Sequence, residues 1–175
     1  MRRSARLPLW GLALALTAFA TAAVSDDLPE YRLKAAFLYN FALFTEWPAG
    51  TGSALNLCVY GRDQFGEEIN ALQGKPVGER HLVIRHVATV DGLAACQVVF
   101  IAGPSGDTIS RVLSVLRGAP VLTIADTPGA AQQGVALNMD VVKNKITFEA
   151  NLTAARAANL KLSSKLLSLA TEVLP

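Results

Sequence analysis

Gly103-Pro104-Ser105-Gly106-Asp107 lies between an apolar run and a helical pattern, a setting in which exposed backbone amides and a helix dipole attract anions. The stretch lacks the lysine and Ser/Thr of a phosphate-binding loop, and it does not spell the dinucleotide fingerprint. A tight crossover with Ser105 or Asp107 as helix cap explains it without a ligand. His81 and His86 are the only histidines, and their odd separation on a strand turns them to opposite faces, which makes them poor joint ligands. With two cysteines, no Cys-x-x-Cys and no third histidine, the donor set of a zinc site is missing from the sequence. No Gly-x-Ser-x-Gly elbow supports a Ser-His-Asp triad. Asp126 follows an apolar run and is placed for acid or base work, although Asp-Thr-Pro-Gly reads more simply as a turn. These residues point to no enzyme, no cofactor and no metal.

What remains is interaction surface. Trp47, Phe148, Glu149 and Arg156 fall at element ends or on strand faces, and aromatics with arginine are typical interface anchors. The alternative for Trp47 and Phe148 is core packing, and for Glu149 and Arg156 simple solvation. A small-ligand binding module is a second expectation, with a solute held at the carboxyl ends of the strands near Gly103–Asp107 or Asp126.

The elements that position these residues follow from periodicity. Asp27-Leu28-Pro29-Glu30 reads as a helix cap with proline in the first turn and glutamate three residues on. Leu33, Phe37, Phe41 and Phe44 recur at helical spacing and predict an aromatic buried face. Pro48 disfavours helical geometry at Trp47 and ends the element. Leu55–Tyr60 and Gln97–Ala102 are apolar runs of strands buried on both faces, and Pro120–Ala125 is a third strand. Phe65–Leu72 predicts a helix, His81–Val87 a strand, Asp91–Ala95 a short helix or turn. Ile109, Val112, Leu113 and Leu116 form the stripe of a further helix. Val135–Val142 hairpins through Lys143-Asn144 into Lys145–Ala150. A short helix, a hinge at Asn159 and a terminal helix through Leu162, Leu166, Ala170 and Val173, capped at Ser163 or Ser164, complete the chain. The reading is α/β: a single domain with a mixed, mostly parallel sheet built from Rossmann-like βαβ units and flanked by helices, with N-terminal and C-terminal helices.

Arg2, Arg3 and Arg6 precede an apolar stretch from Leu7 to Ala20 and a small-residue segment, Ala18–Ala23. This is the layout of a secretory signal peptide over residues 1–22, cut near Ala22 or Ala23, with a domain over 23–175. The apolar part is too short for a comfortable membrane span. Three of the 16 basic residues and none of the 14 acidic ones lie in that leader, so the exported chain carries 13 against 14. A nearly neutral domain without a basic patch argues against nucleic acid as a partner. Export also places Cys58 and Cys96 where disulfides persist. An even count favours a bond, two buried free thiols being the alternative, and the loop between them would restrict the unfolded chain by about 3–4 kcal/mol.

The run F-E-A-N-L-T-A-A-R-A-A-N-L-K-L-S-S-K-L-L-S-L-A, from Phe148, resembles the C-terminal signature of the YfiR-like family of bacterial periplasmic proteins. A-A-F-L-Y-N-F-A-L-F-T-E-W-P (Ala35–Pro48) resembles the family's first helix and its Trp-Pro exit, and L-C-V-Y-G (Leu57–Gly61) its first strand. The resemblance supports pairing of Cys58 with Cys96; a second cysteine pair found in some relatives has no counterpart. It implies a periplasmic repressor that binds the periplasmic sensor domain of an inner-membrane GGDEF diguanylate cyclase and keeps c-di-GMP and biofilm formation low. An outer-membrane lipoprotein that sequesters the protein, or reduction of the cysteines, would relieve repression. A homodimer is a further partner left open.

Overall fold

Alternating apolar runs and turn residues sort this chain into strands and helices, and the computed structural model describes residues 27–103 and 106–175 of it. The expected signal peptide and the capping role of Ser105 lie outside the described residues. In chain order the elements are helix α1 (Asp27–Leu43), strands β1 (Thr45–Glu46) and β2 (Ala54–Tyr60), helix α2 (Glu67–Asn70) and strands β3 (Pro76–Val77) and β4 (Arg80–Val87). A 3-10 turn (Val90–Ala95), β5 (Val98–Ile101), α3 (Gly106–Val115) and β6 (Leu122–Ala125) follow. The last part comprises β7 (Leu137–Val142), β8 (Lys145–Asn151), α4 (Leu152–Ala157), β9 (Lys161–Leu162), α5 (Ser164–Leu167) and β10 (Glu172–Leu174).

Eight strands form one sheet in the order β10-β8-β7-β6-β5-β2-β4-β3, and β1 pairs with β9 in a separate ribbon. The pairings β2–β4, β2–β5, β5–β6, β6–β7 and β8–β10 are parallel; β7–β8 and β3–β4 are antiparallel. This is the expected mixed α/β sheet. Its central strands β5 and β6 are buried at every position because each face meets its own core. Val98, Phe100, Leu122 and Ile124 join Leu38, Phe41 and Ile69 on one side. Val99, Ile101 and Ala125 join Ile109, Val112 and Leu116 of the α3 side on the other. The Cys58–Cys96 bond lies in that second core, with Cα atoms 6.0 Å apart. It links β2 to the residue that closes the 3-10 turn.

The β7–β8 hairpin turns at Lys143 (φ 51°) and Asn144 (φ 60°). Positive φ at both central residues is a two-residue turn whose twist matches that of the strands. Asn159 has φ 53°, the left-handed conformation expected of the hinge.

Three expectations are corrected. The buried line of α1 is Lys34, Ala35, Leu38, Phe41 and Ala42, while Leu33 is 47% exposed and Phe37 and Phe44 lie at the boundary. The stripe read from Leu33, Phe37, Phe41 and Phe44 is turned round the helix by about one position, because Lys34 faces inward to Asp126. Phe65–Leu72 contracts to the single turn of α2, followed by turns. The terminal helix is likewise one turn, α5, with Ser163 Oγ accepting from Leu166 N at 3.2 Å. On either side of it the chain is extended: β9 pairs with β1, and β10 adds to the open edge of β8 with Glu172 opposite Glu149. Backbone bonds to distant strands override the helical spacing of the leucines there.

Replacing both Cys58 and Cys96 by alanine is expected to lower unfolding free energy by about 3–4 kcal/mol, since a bond spanning 38 residues restricts the unfolded chain; urea titration of oxidised protein against the double variant measures it. Lys143→Asn with Asn144→Gly, the residues a type I′ turn favours, is expected to raise the urea midpoint.

Candidate functional site

The chain leaves β2 for β4 on one side and later returns to place β5 on the other, so neighbouring crossovers diverge at the carboxyl ends of β2 and β5. Open α/β sheets form their ligand crevice at such a switch point. Here Gly61 ends β2 with φ +100°, and a Cβ on it would lie 2.5 Å from the carbonyl oxygen of Ala102. Only glycine lets the two strand ends approach so closely. Beside them a cleft of about 430 Å³ is lined by Tyr31, Lys34, Gln64, Gly103, Asp126, Thr127 and Pro128. The Thr127 hydroxyl donates to the Gly103 carbonyl at 2.9 Å, holding the β6 exit against that of β5.

The floor of the cleft is a buried cation. Lys34 is 4% exposed; its Nζ lies 2.7 Å from Asp126 Oδ2 and 2.5 Å from Glu30 Oε1. The ammonium also sits 4.6 Å from the centre of the Tyr31 ring, and the Tyr31 hydroxyl donates to Gln64 Oε1. Burial is the largest single influence on Lys34 and acts to lower its pKa, but hydrogen bonds to Asp126 and Glu30 outweigh it and the net direction is upward from 10.5. The side chain is therefore a fixed charge at neutral pH and offers no free amine for nucleophilic or general-base chemistry. It latches α1 to the end of β6.

Sequence reasoning placed Asp126 at this end of the sheet but missed Lys34. The Glu30–Lys34 separation of one helical turn was the available signal. Nothing local showed that the lysine faces inward, because its second partner is 92 residues away. The capping of α3 by Asp107 falls on side chains outside those described.

The four residues expected at a partner surface divide in two. Phe148 is 2% exposed and packs edge-on against Phe41, with ring centres 5.0 Å apart. Trp47 is 7% exposed, and its Nε1 donates to the Gln97 carbonyl at 3.3 Å. Both are core side chains, which places them out of a partner's reach. Their exclusion from water is what holds α1 and its exit on the sheet. Arg156 is exposed in the last turn of α4, where a cation complements the helix dipole. Glu149 is half-buried beside Asn138 on the hairpin. The structure does not bring Arg156 and Glu149 into one cluster. His81 is exposed, and His86 Nδ1 lies 3.6 Å from Asp63. Among the described residues no group of three His, Cys, Asp or Glu is arranged to hold a metal ion, and no helix is long and apolar enough to cross a membrane.

Lys34→Met is expected to lower unfolding free energy by about 2–4 kcal/mol, somewhat less than for breaking a fully buried ion pair because Glu30 is partly exposed. A raised lysine pKa contributes stability that is complete below the unfolded value and is lost as pH climbs through the folded one. Wild-type denaturation midpoints are therefore expected to fall above about pH 10.5, and Lys34→Met to flatten that limb.

Two solved structures resemble this chain, and the first shares its architecture. A conserved domain protein from Vibrio cholerae O1 biovar El Tor superposes with a TM-score of 0.54 at 10% identity, over 82% of this chain and 60% of that one. The ABC domain of a Streptococcus pneumonia protein, solved with L-Trp, gives 0.49 at 6% identity, over 69% of this chain and 55% of its own. This chain thus spans less than two thirds of either, and the Vibrio likeness is one of fold. Residues 31–171 match the family model described as YfiR/HmsC-like, and that stretch takes in most of α1, every strand of the main sheet except β10, and the buried Lys34–Asp126 latch: the chain belongs to the YfiR/HmsC-like family.

Proposed function

We propose that this protein is a non-enzymatic periplasmic regulator that binds the periplasmic sensor domain of a membrane-bound diguanylate cyclase and represses it, lowering c-di-GMP and biofilm formation. The family match over residues 31–171 carries this reading. The locked state of Lys34 is consistent with it, since the cleft at the switch point offers no free amine as nucleophile or base. Repression is a linkage effect: a partner that prefers the inactive cyclase shifts its population by the difference in binding free energy. Arg156 is the exposed anchor of the reading, with Glu149 a second contact. Release through an outer-membrane lipoprotein, or through reduction of the Cys58–Cys96 bond, belongs to the same scheme.

A second reading, capture of a small periplasmic solute, draws on the cleft of about 430 Å³ at the switch point. A thermal-shift screen separates the two, because a solute present at about 100 times its dissociation constant stabilises the fold by about 2.7 kcal/mol.

Deleting the gene is expected to raise cellular c-di-GMP, and re-expression to restore it. Arg156→Glu is expected to weaken capture of the cyclase's periplasmic domain by about tenfold or more, equal to 1.4 kcal/mol, with an unchanged melting temperature. Unaltered c-di-GMP after deletion, together with no affinity for that domain, would refute the proposal.

A further inference from the structure

A second cleft lies on the β7–β8 hairpin. Asn138, Asp140 and Val142 alternate onto one face of β7, in register with Glu149, Thr147 and Lys145 of β8. The opposite face carries Met139 and Phe148 into the core beneath α1. With Pro128, Gly129 and Thr171, the residues of the first face other than Lys145 wall a space of about 350 Å³.

The chemistry of these walls is one-sided. Asn138 is 2% exposed and its Nδ2 donates to Glu149 Oε2 at 3.3 Å. A carboxylate only accepts, so this bond orients the amide and leaves Oδ1 as a second acceptor. Among the described residues, Asn138 Oδ1 is the one buried side-chain polar atom without a partner. Leaving such an atom unpaired costs about 1–3 kcal/mol. Asp140 and Glu149 are diagonal neighbours across the pair, and no described lysine, arginine or histidine nitrogen comes within 4.0 Å of either. The Thr171 hydroxyl proton is engaged with the Phe148 carbonyl at 2.9 Å, while that of Thr147 reaches the Asp140 carbonyl only at 3.5 Å. Two carboxylates and a spare amide oxygen therefore face a space lined by apolar Pro128 and Val142, and Lys145, the cation on the same strand face, lies outside that lining and pairs with neither carboxylate.

We infer that this cleft binds an alkylguanidinium group. A guanidinium engages Glu149 with two parallel N–H groups and keeps further N–H groups for Asn138 Oδ1, while its methylene stem lies along Pro128 and Val142. The oxygen is shielded from solvent, so the cation must part Glu149 from Asn138 to reach it. At 3.3 Å that bond is at the long end of the range, and opening it leaves Nδ2 to be paired again, a cost that the charge-assisted bonds from the guanidinium must exceed. A lone ammonium presents its donors from one point and spans the two acceptors less well. The inference rests on the hairpin cleft and shares only Glu149 with the regulatory reading.

The test is an amide-resonance titration of the purified oxidised protein with butylguanidinium, butylammonium and butyltrimethylammonium, which share a stem and a charge but differ in N–H donors. Butylguanidinium is expected to saturate at millimolar concentration with shifts confined to residues around Gly129, Asn138, Glu149 and Thr171. Butylammonium is expected to bind more weakly and the trimethyl compound not at all. Glu149→Gln is expected to weaken binding by about tenfold or more. Asn138→Leu, which removes the unpaired acceptor, is expected to weaken it by a smaller factor while the protein remains folded by circular dichroism. Equal binding by N-acetyl-arginine amide would identify the natural occupant as an arginine side chain; binding by butylguanidinium alone would identify a free guanidine. No saturable shift up to about 20 mM, equal binding of all three cations, or an undiminished Glu149→Gln variant would overturn the inference.

Discussion

An ammonium group with only 4% of its residue exposed has to be neutralised where it sits, and the position of α1 follows from how Lys34 meets that requirement. Asp126 at the end of β6 and Glu30 one turn earlier on α1 are the two groups that do so. The pairing sets both where α1 lies along the sheet and which way it is rotated. With Lys34 turned inward, Leu38, Phe41 and Ala42 are buried in the same core, and Phe41 meets Phe148. Hydrophobic burial supplies most of the free energy of that contact. The ion triad supplies its register.

The sheet was largely readable from the residues. Apolar runs at Leu55–Tyr60, Gln97–Ala102 and Pro120–Ala125 become strands of the parallel core, and Lys143-Asn144 becomes the hairpin turn. Such features depend on neighbours in sequence. Those that were misread depend on partners far along the chain. Lys34 is inward because of Asp126, and the C-terminal leucines abandon a helix because β1 and β8 present unsatisfied edges. Trp47 and Phe148 fail as surface anchors for the same reason, as an aromatic at an element end looks alike whether another element covers it or not. The hairpin cleft was invisible for a subtler cause. Asn138 and Glu149 are ordinary strand residues until the β7–β8 register sets them opposite each other.

The molecule keeps its polar features on different parts of one scaffold. At the carboxyl ends of β2, β5 and β6 the charges answer one another within the fold. On the hairpin they do not. A regulatory protein needs surfaces whose polar groups are left for another molecule to complete, carried on a core that does not itself rearrange. Membership of the YfiR/HmsC-like family fits that division of labour.

The covalent link between Cys58 and Cys96 has a bearing on how the sheet is assembled. After β4 the chain must step back across β2 before β5 can dock, and this return is the longest-range decision in the parallel core. The linked residues stand on β2 and immediately before β5. Once oxidised, the incoming strand is tethered beside its neighbour, and a non-local search becomes a local one. A chain that acquires its bond early has β2 and β5 side by side before the α3 crossover forms, whereas a reduced chain must find the same adjacency through diffusion alone.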